Sequence, residues 1–266
     1  MNRNGPIALI FHFLFLGFLL APILIVCAVA FTSQGYLSLP TDGLSLRWFR
    51  AIGDNPEFIR AFKDSLLLGV VSSTLAILIA VPASLAIARY QFFGREAIQA
   101  LFMSPLMVPH IVLGIAFLRF FTLIGLGGTF TGLVLSHVII ILPFALRLIL
   151  AASTGMDRAV ENAASSLGAS SWTCFRRVTL PLILPGVASG WVLAFINSFD
   201  EVTMTVFIAS PETTTLPVRL FLYIQDNIDP LVAAVSAALI FVTVAAMLVL
   251  DRVYGLERLL VGKGRD

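Results

Sequence analysis

Residues 160–182 read VENAASSLGASSWTCFRRVTLPL, and this stretch decides how the rest of the chain is read. It is small and polar, carries the adjacent pair Arg176 and Arg177, and turns apolar again at Leu180 and Pro181. Long apolar runs lie on both sides of it. Of the 266 residues, 59% are hydrophobic and 12% charged, against about 25% charged in an average soluble domain. A bilayer core of about 30 Å is crossed by roughly 20 apolar residues in a helix, and several runs here reach that length. The composition describes an all-α integral membrane protein with one helical domain over residues 1–266. The net charge of +2 points to no nucleic-acid partner.

Six spans are expected, over residues 7–31, 62–88, 97–121, 132–151, 182–208 and 230–250. Ala28, Val29 and Ala30 have the look of a signal-peptidase site, but the apolar run from Ile7 to Ala30 is longer than the ~7–15 residues of a signal core. It is therefore expected to remain as the first span. Pro22, Pro82, Pro105, Pro109 and Pro143 fall within spans and are expected to make packing kinks, which membrane helices tolerate where neighbours re-satisfy the backbone. With both termini inside, eleven Lys and Arg lie on the cytoplasmic side and six outside. The positive-inside rule then predicts cytoplasmic termini. Arg3, Arg258, Lys263 and Arg265 are among the eleven. In the outside segment 32–60, residues 44–52 can form an interfacial helix with Trp48 at headgroup level.

This orientation puts residues 155–180 in the cytoplasm, between the fourth and fifth spans. Asp157 suits an N-cap. From Arg158 to Leu167 the residues favour a helix, with Val160, Ala163, Ala164 and Leu167 on one face. Gly168 suits the position just past a helix end. Ser170 or Ser171 can cap a second short helix carrying Trp172 and Phe175, with Pro181 just after its end. The face of small residues lets another surface approach, while Trp172, Phe175, Arg176 and Arg177 offer anchors and charge. A plain linker is the simpler alternative, but the stretch is longer than a link requires.

The same residues resemble the coupling motif of ABC importer permeases: Glu-Ala-Ala, three residues, Gly, nine residues, then Ile-x-Leu-Pro. Ala163, Ala164 and Gly168 match in spacing, and Val178 to Pro181 match the end. The motif glutamate falls on Asn162, with Glu161 one position earlier. The resemblance covers essentially the whole chain and implies that the loop docks on a separate ATPase. It further implies a second permease subunit different from this one, two ATPase subunits and an extracytoplasmic solute-binding protein, in a bacterial inner membrane. The chain has no G-x-x-x-x-G-K-[ST] phosphate loop. No cofactor is expected in it, and ATP and Mg belong to the partner. It is expected to be a non-catalytic subunit, since no nucleophile and base stand together.

The fifth expected span contains FINSFDEVTMTVF, residues 195–207, with Asp200 and Glu201 in an apolar setting. An ionised carboxylate at mid-bilayer costs about 2.5–3.5 kcal/mol on the insertion scale. Counted from Leu184 at 1.5 Å per residue, the two lie about 25 Å from the cytoplasmic side, in the outer half. Neighbours on a helix point about 100° apart, so one acid can face a pathway while the other pairs with a base or caps broken backbone. Carboxylates beside Phe195, Phe199 and Trp191, with Asn197 among them, suit an amine through charge and cation–π attraction. An interfacial pair reaching the outer headgroups is the alternative. This region is similar to that of the spermidine/putrescine branch of the permeases, and that resemblance implies a polyamine cargo. Other branches carry opines, aminobutyrate, aminophosphonates or ferric iron. A stand-alone carrier using the acids as an ion site is the reading from another class, although no second copy of the acidic motif supports it.

His110 and His137 are expected to be interhelical hydrogen bonders, and His12 buried or interfacial. No histidine pair has metal-site spacing. Cys27 and Cys174 are expected to lie in different environments and to stay unpaired. Arg60, Lys63 and Asp64 are read as an outer anchor, and Glu212 to Thr215 as an outside loop.

Overall fold

The computed structural model describes residues 5–40 and 43–254. Arg3, Arg258, Lys263 and Arg265 lie outside the described residues, as does the tail Gly262 to Gly264. The described residues are helical in all their regular structure. Four helices are long and apolar enough to cross a bilayer, or five if one bent pair counts as a single span. Those four are α1 (Pro6–Val29), α3 (Pro56–Arg89), α6 (Phe130–Thr154) and the continuous run Ser171–Phe199. In α12 (Leu231–Tyr254) the apolar part Leu231–Ala245 is shorter.

The chain packs as two compact units. Of the described residues, one takes those up to Arg60 with Arg219–Leu250, and the other takes Ala61–Val218 with residues 251–254. In the first unit, α2 (Arg47–Asp54) buries Trp48, whose indole N–H donates to the Gln34 carbonyl at 3.1 Å. Trp48 is thus held by the fold as a packing residue of this unit. Arg219, in α11 (Leu216–Asp226), pairs with Glu57 and lies over the Phe58 ring at 5.9 Å. The Tyr223 hydroxyl donates to Asp229 at 2.7 Å, and Asp229 also accepts the Leu231 N–H at the start of α12. Burial first, and then the Asp229 carboxylate, push the Tyr223 phenol up to about 12. His12 is exposed on α1, not buried, and α1 presents apolar side chains on all sides.

In the second unit α6 is the central element. Val134, Val138, Ile141, Ala145, Leu146 and Ile149 are buried, and so is Pro143. It packs most closely on α9 (Leu180–Phe199) through a run of small residues. A Cβ on Gly186 would meet the Ala152 Cβ at 2.5 Å and the Leu148 carbonyl at 3.0 Å. Gly190 faces Ala145 in the same way. With no hydrophobic drive between helices inside lipid, close backbone approach supplies the packing.

Two expected spans are interrupted. The third divides into α4 (Arg95–Met103), a 3₁₀ turn (Ser104–Met107) and α5 (His110–Leu123), with α5 turned by 102°. Pro105 and Pro109 cause this. Each lacks an N–H, and the residue before a proline prefers extended backbone. Val108 takes that extended form (φ −94, ψ 128), so these two prolines break the helix and do not merely kink it. Pro82 and Pro143, each alone, stay inside intact helices. The fifth span ends at Phe199, and after a turn a single helical turn follows, α10 (Thr205–Ile208).

Candidate functional site

The polar stretch folds as an arm on the second unit. It holds α7 (Ala159–Ser166) and α8 (Ser171–Cys174). The Asp157 carboxylate accepts the Ala159 N–H at 2.9 Å and so caps the first turn of α7. At the other end, Ala169 N–H reaches the Ala164 carbonyl and Gly168 N–H reaches that of Ser165. That paired pattern is a Schellman stop, and it needs the left-handed φ of +86° that Gly168 supplies. Ser170 caps α8 through the Thr173 N–H.

Pro181 does not end α8, as its position suggests. The helix runs on from Ser171 to Phe199 through a π turn at Phe175–Thr179. Leu180 N–H bonds Phe175 carbonyl, one residue further back than in an α-helix. The wider turn makes room for a ring that would clash with the carbonyl four residues earlier. The arm therefore passes without a loop into α9.

The arm is tied to α3. Glu161 pairs with Arg89 and accepts from the Thr179 hydroxyl. Arg158 donates to the Ala88 carbonyl at 2.8 Å, satisfying the end of α3. Glu161 faces inward while Asn162 is exposed, so the position one residue before the motif glutamate makes the internal ion pair. Ala163, Gly168, Arg176, Arg177 and Pro181 are also exposed, and Ala164 is half-buried. Trp172 is 68% exposed, whereas Phe175, which lies 5.5 Å from it, packs on the core. Val160 and Leu167 add exposed apolar surface to the arm.

The acidic pair sits where α9 stops. Asp200 is the exposed C-cap residue of α9, and Glu201 is buried beyond it. They are not successive positions on one helix. Both Glu201 oxygens are used: Oε1 accepts the Met204 N–H at 2.7 Å, and Oε2 lies 2.7 Å from His110 Nδ1. His110 is the first residue of α5, where the helix dipole favours a carboxylate. At Asp200 the dipole works the other way. The last carbonyls of α9 add partial negative charge beside a carboxylate, an arrangement that favours a cation.

Behind Asp200 an aromatic ladder runs along α9 at four-residue spacing. Trp191 and Phe195 are stacked at 5.5 Å, Phe195 and Phe199 are 5.9 Å apart, and Phe62 meets Phe199 edge-on. The ladder leans on α3. Phe195 fills the space a Cβ on Gly69 would need, and the Trp191 indole donates to the Thr74 hydroxyl at 3.1 Å. Asn197 spends its amide on the Leu193 carbonyl of its own helix. The ladder thus joins Phe199, Phe195 and Trp191, with Asp200 following Phe199 in the chain and Asn197 turned to the backbone.

Two histidines that motif reasoning left outside the site border this break. His110 is one. His137, on α6, is fully buried and bonds Ser198 Oγ at 2.8 Å and Thr205 Oγ1 at 3.0 Å, one on each side of the break. The sequence signal for His110 was its place directly after Pro109.

The family model described as binding-protein-dependent transport system inner membrane component matches residues 72–256. The spermidine/putrescine transport system permease protein PotC of Haemophilus influenzae is 32% identical over 235 residues, covering 88% of this chain and 91% of that protein. PotC of Escherichia coli is 30% identical over 246 residues, covering 92% and 91%. In fold, the chain resembles a bacterial ABC transporter involved in the import of the acidic polysaccharide alginate. The TM-score is 0.72 at 16% identity, covering 96% of this chain and all of that one.

Proposed function

The chain belongs to the family of binding-protein-dependent transport system inner membrane components, and from that premise we propose that it passes a polyamine, putrescine or spermidine, through an ATP-driven importer. The protein is a multi-pass, non-catalytic inner-membrane permease that works with a binding protein. Its full arrangement is six spans in one permease domain, with both termini and the arm of residues 155–180 in the cytoplasm. A second, different permease subunit completes the pathway, and two ATPase subunits dock on the arms.

The observation that carries the cargo class is Asp200. An exposed carboxylate at a helix C-terminus, backed by an aromatic ladder, is a place for a cation with an apolar stem. The names of the PotC relatives support the same choice. Driving force enters at the other end of the same helix. Closure of the ATPase pair moves the exposed Trp172, Leu167 and Val160 surface. Glu161 passes that motion to α3 through Arg89, and the unbroken helix from Ser171 carries it to the break.

Cells carrying the importer's full gene cluster, in a background without polyamine uptake, test the cargo. They should accumulate labelled putrescine or spermidine. Accumulation of an opine, aminobutyrate, an aminophosphonate or ferric iron in its place would move the cargo to that class.

A further inference from the structure

His137 is wholly buried on α6, and both its ring nitrogens are taken. Nδ1 lies 2.8 Å from Ser198 Oγ, in the last turn of α9, and Nε2 lies 3.0 Å from Thr205 Oγ1, the first residue of α10. One ring thus spans the break from a third helix. A hydroxyl both donates and accepts, so each nitrogen is answered whatever protons the ring carries. The break has other supports. Glu201 accepts the Met204 N–H, and a Cβ on Gly114 of α5 would meet the Met204 carbonyl at 3.0 Å. Of these contacts, only the His137 ring reaches both α9 and α10. The choice of residue matters. An apolar side chain could fill the same space, but it would not fix Ser198 and Thr205 relative to each other. A buried polar group costs stability unless it is bonded, and once bonded it specifies one arrangement of its partners.

We infer that His137 is the positioning residue of the pathway carboxylate: by tying the end of α9 to the start of α10 it holds Asp200, two residues past Ser198, in the place where the cargo ammonium meets it. This rests on the amine reading above, since it is through Asp200 that His137 acts. His137 itself touches no cargo. Its two bonds convert the break from a free hinge into a fixed seat for one exposed carboxylate.

The test is a double-mutant cycle on labelled putrescine uptake by the reconstituted importer at saturating binding protein, with assembly and ATP hydrolysis followed alongside. His137→Phe keeps a ring in the space and loses both bonds. Thr205→Val keeps the branched shape and loses one, and it serves if the phenylalanine variant does not assemble. Each should slow uptake by about three- to tenfold, the weight of one net hydrogen bond. In an Asp200→Asn background neither should slow the residual uptake further, because the carboxylate they position is gone. A merely structural role predicts the same slowing in both backgrounds, as for independent sites. Equal slowing in both backgrounds, or wild-type uptake by the assembled variants, refutes the positioning role, and slow uptake by Asp200→Asn then leaves the amine reading standing. If the wild type takes up no putrescine, or Asp200→Asn is as fast as the wild type, the amine reading falls and this inference with it.

Discussion

Glu161 in α7 is ion-paired with Arg89, the last residue of α3. The side chains are 13% and 22% exposed, and the same carboxylate accepts from Thr179 in the π turn. One carboxylate therefore joins the arm to the ends of two long helices. On the proposed function it is the joint through which ATPase movement reaches the pathway. Glu161→Gln should leave the ATPase bound but cut uptake per ATP hydrolysed by at least about tenfold, a loss of roughly 1.5–3 kcal/mol of charged hydrogen bonding. The ratio of putrescine taken up to phosphate released by the reconstituted importer measures it, and an unchanged ratio would remove Glu161 from the coupling path.

Gly168 sits at φ +86° with nothing within 4 Å of where a Cβ would stand. The cost of a side chain there is in the backbone, not in a clash. Gly168→Val should cost about 1–2 kcal/mol through the left-handed conformation and should lower the ATPase recovered with a tagged chain several-fold. Gly168→Asn, which tolerates that conformation, should recover most of it. Equal recovery for valine and asparagine would contradict the turn's role.

Trp172 and Phe175 are neighbouring rings with opposite surroundings. Trp172→Ala should leave thermal stability within about 0.5 kcal/mol, as for an exposed site. It should weaken ATPase docking by about 2 kcal/mol or more, as for an interface anchor. Phe175→Ala should instead lower the melting temperature. Thermal unfolding in detergent, run beside a titration with the ATPase, separates the two.

Gly186 tests the core. Its Cβ direction meets Ala152 and the Leu148 carbonyl of α6, so Gly186→Leu should destabilise the α6–α9 pair by about 1–3 kcal/mol through overpacking. Thermal unfolding of the purified chain should show it, and an unchanged melting temperature would mean that the two helices do not meet as described.

The sequence made the apolar helices legible because lipid demands length and little else. The fourth span, expected over 132–151, is Phe130–Thr154. The arm was legible too, because Asp157, Gly168 and Ser170 carry local cap and turn chemistry that acts within a few residues. The breaks were not. Pro105 and Pro109 look like Pro82 and Pro143, and only their four-residue spacing around Val108 distinguishes them. At Asp200 there is neither proline nor glycine. That break is held by His110 and His137, from helices about 60 to 90 positions away in sequence. Local chemistry could say that Asp200 and Glu201 differ in role, but not which was which. That division comes from Met204 and His110, which take both Glu201 oxygens. Pro181 misled in the opposite direction, since a π turn absorbs a proline that normally marks an end.

The most direct measurement of the central claim is labelled putrescine and spermidine uptake by the reconstituted importer, comparing wild type with Asp200→Asn while assembly and ATP hydrolysis are followed in parallel. Asparagine keeps the shape and removes the charge. The account predicts an assembled complex that still hydrolyses ATP and takes up polyamine at least about tenfold more slowly, the loss of one charged contact. Uptake at the wild-type rate by the assembled variant would show that the cargo does not pass Asp200.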